Sequence, residues 1–353
     1  AWDATQDTID SKPGVYYTWR KMIPTYHNKE YHFTLQDTMT LNDAGDLKLT
    51  AIGRADKVDM EGLWEDIGGK DKRWRYSGGA ALQKQLDSHW SAKTSWGTYY
   101  RHPNFYELFG DGGTIMQSYF LRMVNRLGFK NGTWESGSQF DFSLNRQGKM
   151  AGADSDTVVT WFQRKSDNQL VLYTPWRGPG VSYYMPSGRM NIHGIELSQH
   201  MKWNRLNLAL AATWQKGDSK QSVSGYSVSS LSSGNNSFVP EWVVNARLDY
   251  TFPGDRFSLF GEYRFNGTEV IQGSQSSGDV SKTILSKRDS YSIVDLGAKY
   301  KFDNGIKLSM GVNDVFNQGY KVLITTAYYY GPRVSNLYPL PGRIYYATIG
   351  YSF

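Results

Sequence analysis

The chain has 353 residues, no cysteine, 25 Tyr and 12 Trp, and 39 Lys plus Arg against 33 Asp plus Glu. The missing cysteine excludes disulfide scaffolds, thiolate metal centres and Cys nucleophiles, and a mild, unclustered basic excess gives nucleic-acid binding little support. No apolar run approaches the roughly 18 residues of a spanning helix, and the start, AWDATQDTID, lacks the basic and apolar regions of a signal peptide. A polar chain rich in Tyr, Trp, Gly and Ser is then either a large soluble all-β protein or a transmembrane β-barrel, whose polar lumen masks its apolar face.

Taken in chain order, the sequence predicts about 13 strands. They lie near 30–41, 47–58, 74–85, 89–101, 138–147, 156–172, 189–201, 205–216, 240–252, 256–266, 290–302, 306–315 and 342–353. In LNLALAATW, Leu206, Leu208, Leu210, Ala212 and Trp214 alternate with Asn207, Ala209, Ala211 and Thr213. VNARLDYTF sets Val244, Ala246, Leu248, Tyr250 and Phe252 against Asn245, Arg247, Asp249 and Thr251. VDLGAKYKF, IKLSMGVN and the closing IYYATIGYSF follow the same rule, and LKLTAIGRAD and FSLFGEYRF follow it with one or two exceptions. A period of two is a strand with different surroundings on its two faces. The second face collects the charges Lys48, Arg54, Lys93, Glu196, Arg247, Asp249, Glu262, Arg264, Asp295, Lys299 and Lys307, expected as mixed ion-pair ladders facing a lumen.

Short polar turns (NDAGD, LDS, KWNR, FPGD, DNG) alternate with long loops near 60–72, 102–137, 174–188, 215–238, 266–290 and 317–341. Tight turns on one side and long loops on the other are the signature of an outer-membrane barrel. With Phe353 in the periplasm, an odd count makes the first strand start outside. Residues 1–29 are then expected to be the remnant of an extracellular loop, the chain a truncated or split barrel, and the outer edge of strand 30–41 paired with a strand from elsewhere.

Several stretches resemble the carboxyl-terminal part of the TonB-dependent outer-membrane receptors, importers of siderophores, haem and cobalamin. YPLPGR (338–343) with a strand closing on Phe353 is similar to their terminal signature, and GVNDVFNQGY (311–320) to the strand and turn before it. YRHPNFYELFG (100–110) resembles their Arg-x-Pro-x-x-x-Glu-Leu segment, with His102 in place of a small residue. WESGSQFDFSL (134–144) resembles the Pro-Glu-x-Ser segment, with Trp134 in place of proline. GRMNIHGIEL (188–197) and YHFTLQDTMTLNDAGDLKL (31–49) match two further strands. The resemblance spans residues 30–353. It implies an all-β, transmembrane antiparallel barrel: the last 13 strands of a receptor barrel of about 22, whose plug and first nine or so strands lie outside this chain. It also makes Phe353 part of an assembly signal.

No catalytic constellation is present, and the six histidines form no pair with metal-ligand spacing. An enzyme is not expected, nor a resident cofactor or metal. Loop segments MQSYFLRM, LYTPWRGPGVSYYMP and TTAYYYGPRVSNLYP interleave Tyr, Trp and Arg, giving rigid amphipathic contact area and anion-pairing groups. The candidate substrate-binding residues are Arg101, His102, Tyr119, Arg122, Trp176, Arg177, Tyr183, Tyr184, Tyr329 and Arg333. Tyr99, Tyr100 and Trp214, at strand ends, are expected in the interfacial aromatic belt. The function the resemblance implies is active import of a ferric siderophore or related metal chelate across the outer membrane of a Gram-negative bacterium, energised through TonB and its inner-membrane motor. The alternatives are haem uptake, in which His102 would serve as an axial ligand, and a plugless structural or porin-like barrel subunit.

Overall fold

A computed structural model describes residues 8–10, 16–18, 25–64, 67–71, 74–102, 135–173, 183–221, 239–275, 283–319, 324–328, 331–335 and 340–351. The described residues form strands and turns. In chain order these are β1 (Thr8–Asp10), β2 (Tyr16–Thr18), β3 (Thr25–Thr40), β4 (Leu47–Trp64), β5 (Ile67–Asp71), β6 (Trp74–Gln85), β7 (Trp90–Arg101), β8 (Glu135–Met150), β9 (Ala153–Tyr173) and β10 (Tyr183–Lys202). They continue as β11 (Leu206–Gln221), β12 (Trp242–Thr251), β13 (Phe257–Asn266), β14 (Glu269–Gln275), β15 (Thr283–Arg288), β16 (Tyr291–Lys301), β17 (Ile306–Asn313), β18 (Ile324–Tyr328), β19 (Gly331–Ser335) and β20 (Ile344–Tyr351).

Thirteen of these make one antiparallel wall in the order β20-β17-β16-β13-β12-β11-β10-β9-β8-β7-β6-β4-β3, with β5 added beside the upper part of β4. They are the thirteen expected strands, and six of them, β3, β4, β8, β9, β10 and β11, run further into the loop side. β3 starts at Thr25, and the β9–β10 ladder reaches Tyr173 opposite Tyr183. Among the described residues β3 pairs only with β4 and β20 only with β17, so the two ends of the wall are not bonded to each other.

The wall is inside out compared with a soluble sheet. Its described apolar side chains that are buried are few: Val58, Ala153, Phe162, Ile192 and Ile293. The large ones line the outward positions and are exposed, among them Phe33, Leu35, Trp96, Leu248, Ile349 and Tyr351. In lipid such a face is the favourable one, and the inward positions carry Thr, Ser, Gln and charges.

Turn chemistry fixes the registers on the short side. Asn42 Oδ1 accepts the Leu47 N–H at 3.1 Å, and Asp87 Oδ1 accepts the N–H groups of His89 and Trp90 at 2.7 and 2.8 Å. A sixth tight turn, at Ala151 (φ 49) and Gly152 (φ 77), has both central residues left-handed, the twist a two-residue hairpin needs. At the rim, Lys84 sits on an outward position but reaches down to Asp46, Nζ to both carboxylate oxygens at 2.8 Å, so its charge leaves the apolar band while its stem stays in it.

The long loops are not all irregular. The hairpin β14–β15 and the hairpin β18–β19 join through three residue pairs, from Ser286 opposite Thr326 to Arg288 opposite Ile324, into a separate four-stranded sheet.

Candidate functional site

On the loop side the inward wall carries a polar centre built on Asp56. Register places His32, Asp56 and Arg75 side by side on β3, β4 and β6, all at inward positions. Asp56 is 1% exposed. Its carboxylate takes the Arg54 Nε–H at 2.6 Å, the Tyr100 hydroxyl and His32 Nδ1, whose Nε2 lies 3.2 Å from Glu30. A buried carboxylate needs such partners, because an unpaired one is prohibitively costly. The consequence faces the lumen: His32 and Arg54 are each about half exposed, held at the wall by a buried anchor.

Tyr99 and Tyr100 correct the belt expectation. The β6–β7 ladder stops at Gly79 opposite Gly97, and β7 runs on against β8 alone. Tyr100 thereby turns its hydroxyl to Asp56, and Tyr99 lies inward across Gly137, where an added Cβ would stand 2.6 Å from its ring. Trp214, by contrast, stays on the outward face, opposite Trp242, with its indole N–H 3.3 Å from Glu241.

Further along the wall some of the inward charges form the expected mixed ladders, while no ion pair joins Lys48, Lys93, Glu196 or Lys307 to them among the described residues. Arg247 donates to Asp249 at 2.7 and 2.8 Å and to Glu262 on the next strand. Arg264 donates to Asp295 at 2.6 Å, and Asp295 also accepts the Asp314 N–H at 2.7 Å. Phe260 lies flat opposite Gly297, with the Arg247 guanidinium 4.7 Å and the Lys299 ammonium 5.2 Å from its ring centre.

The structure sorts the candidate residues. Arg101 is tied to Glu135, Nε to Oε2 at 2.8 Å, while Ser166 donates to the other Glu135 oxygen at 3.2 Å, which gives Arg101 a structural partner at the rim. His102 packs edge-on against Tyr100, ring centres 5.4 Å apart, with both ring nitrogens shielded from solvent. Tyr183 and Tyr184 lie on β10 opposite Tyr173 and Leu172, and Arg333 lies on β19 opposite Thr326. Tyr119, Arg122, Trp176, Arg177 and Tyr329 lie outside the described residues. The Asp56 centre escaped sequence reading apart from Arg54. Its one available signal was the common inward parity of His32, Arg54 and Asp56. No group of three or more metal-ligating side chains occurs among the described residues.

Comparison with known proteins places these observations. A probable TonB-dependent siderophore receptor, PirA of Acinetobacter baumannii, is 29% identical over 125 residues, covering 33% of this chain and 16% of the relative. Among solved structures, the FrpB iron transporter of Neisseria meningitidis (F3-3 variant) superposes with a TM-score of 0.64 at 16% identity, covering 94% of this chain and 45% of that one. The ferripyoverdine receptor of Pseudomonas aeruginosa gives a TM-score of 0.62 at 14% identity, covering 96% and 39%. At these identities the likeness is one of fold, and the chain spans less than half the length of either solved relative. The family model described as TonB dependent receptor-like, beta-barrel, matches residues 1–315. The chain belongs to the TonB-dependent receptor β-barrel family, whose members are transport receptors of the Gram-negative outer membrane and not enzymes.

Proposed function

We propose that the chain is the carboxyl-terminal barrel portion of a receptor that imports a ferric siderophore or a related metal chelate, with TonB and its inner-membrane motor supplying the energy through a plug carried elsewhere. The observation that carries this reading is the family match over residues 1–315 together with a siderophore receptor as sequence relative. In this reading residues 1–29 belong to an extracellular loop and 30–353 to the barrel. The remaining strands and the plug come from the rest of the receptor or a second chain, and the ligand meets Tyr, Trp and Arg of the loops above the Asp56 centre. The wall supports a plugged receptor over a charge-selective pore, because its inward arginines Arg54, Arg247 and Arg264 are paired with carboxylates rather than aligned as one sign. His102 gives the haem alternative no support in this geometry, since both nitrogens face protein.

The test is uptake of radiolabelled ferric siderophore by iron-starved cells carrying the full-length receptor. Uptake that disappears without TonB is expected, with a nearly silent protein in planar bilayers. Steady conductance with TonB-independent uptake would replace the receptor by a porin. Replacing Trp176 and Arg177 together by alanine should weaken ligand binding about tenfold or more if they anchor the ligand, read by equilibrium binding to whole cells.

A further inference from the structure

Of the charges at outward positions, Lys84 reaches Asp46 at 2.8 Å and Arg146 the Lys149 carbonyl at 3.2 Å, both at short turns, whereas Asp37 finds no such partner among the described residues. Along β3 the outward positions read Tyr31, Phe33, Leu35, Asp37, Met39, and all are exposed. Asp37 stands four residues above the turn that begins at Leu41, or roughly 10 Å at the rise and tilt of a barrel strand. That is inside the roughly 25 Å apolar band, where a carboxylate facing lipid is penalised. On β11, β12, β13, β16, β17 and β20 the outward positions in the band are apolar, from Leu206–Leu208–Leu210 to Tyr345–Ala347–Ile349.

Nothing in the described wall compensates Asp37. Its hydrogen bond is local, Oδ1 accepting the Thr38 N–H at 2.8 Å. Its cross-strand neighbour is Ala51, and beyond that Ala80, neither with a donor to offer. The place where this occurs is informative: β3 is an end of the wall, and among the described residues nothing pairs with its second edge. Opposite charges directly across a ladder stabilise each other, and their Cβ atoms lie about 5 Å apart. Leu35 and Met39, next on the same face, are apolar, which suits contact with one neighbouring side chain rather than a polar docking surface.

We propose that a strand from the remainder of the receptor barrel pairs with the second edge of β3 and presents a lysine or arginine to Asp37, making a charged pair at the seam. The inference rests on the reading that this wall is one part of a larger barrel. The full-length receptor tests it in proteoliposomes, with nitroxide labels on Leu35→Cys, Asp37→Cys and Met39→Cys, each otherwise wild type. Labels at 35 and 39 should be broadened by lipid-dissolved oxygen, and the label at 37 should lose most of that broadening. Without labels, Asp37→Asn and Asp37→Leu should both lower the temperature of heat modification. Oxygen access at 37 equal to that at 35 and 39, with Asp37→Leu raising that temperature, overturns the pairing. Retention of stability by Asp37→Asn overturns the cationic partner. Hydrogen exchange separates the two levels. Protected β3 amides on both edges keep the larger barrel, and the labels then decide the pair. Rapid exchange along the second edge removes the larger barrel and this pair together.

Discussion

Asp56 shows how one inward side chain organises its surroundings. Three donors converge on a carboxylate that water does not reach. Asp56→Ala should therefore lower the stability of the full-length receptor by about 2–4 kcal/mol, because it leaves the guanidinium, hydroxyl and imidazole without their acceptor. Asp56→Asn should cost less, and guanidinium unfolding of the two variants in detergent gives the comparison. Asp46, in a periplasmic turn, supplies the pH-dependent case. The hydrogen bonds from Lys84 and Asn42 hold its carboxyl below the usual value of 3.8. A depressed carboxyl contributes stability that is present above the unfolded value and lost as pH falls through the folded one. The difference in unfolding midpoint between wild type and Asp46→Asn should thus be constant at neutral pH and close below about pH 4. A gap that persists at pH 3 would show that the turn geometry, not the charge, matters.

At the scale of elements, four inward aromatics lie directly across the ladder from a glycine: Tyr99 over Gly137, Phe162 over Gly194, Phe260 over Gly297 and Tyr346 over Gly311. In each case an added Cβ would collide with the ring. The ring covers backbone that glycine leaves bare and keeps the wall smooth toward the lumen. Gly297→Ala should displace Phe260 from its two cations and cost about 1–3 kcal/mol. Adding Phe260→Ala should then cost less than it does alone, a coupling that a double-mutant cycle measures. The strands themselves were legible in the sequence because lipid on one face and water on the other impose a strict period of two. The small sheet β14-β15-β18-β19 was not, since its segments, EVIQGSQ or GPRVS, carry no alternation. Tyr99 was misplaced against its own parity, which it shares with Lys93, and Tyr100 because, where β7 leaves β6, parity no longer tells which neighbours a side chain meets. The motifs behind the family resemblance have a physical reading as pairs. Arg101 of one binds Glu135 of the next. Asn317 of GVNDVFNQGY accepts the N–H of Arg343 at 2.9 Å, and Asp314 holds the turn through Gln318 and Gly319. In this chain, motifs distant in sequence thus clasp each other at the rim.

For the whole molecule the decisive comparison is between two kinds of sheet edge. An unpaired strand edge is a template for association, and proteins blunt those that stay open. The small sheet follows that rule. β14 is broken by a register shift between Val270 and Gln272, and β19 carries Pro332. The wall does not. β3 keeps register with β4 for 16 residues without a bulge, and β20, IYYATIGY, has no proline and no charge. Edges of that kind in lipid leave backbone N–H and C=O groups unsatisfied, at several kcal/mol each. They are built to be paired, and among the described residues the wall of 13 strands does not bond end to end. Residues 1–353 refolded alone in detergent should accordingly give edge-to-edge oligomers and no heat-modifiable monomer. Refolding together with the remainder of the receptor should restore one. A monomeric, heat-modifiable barrel from this chain by itself, with cysteines at Met39 and Ile349 forming an intramolecular crosslink, would show that β3 and β20 close on each other and that the larger barrel is not needed.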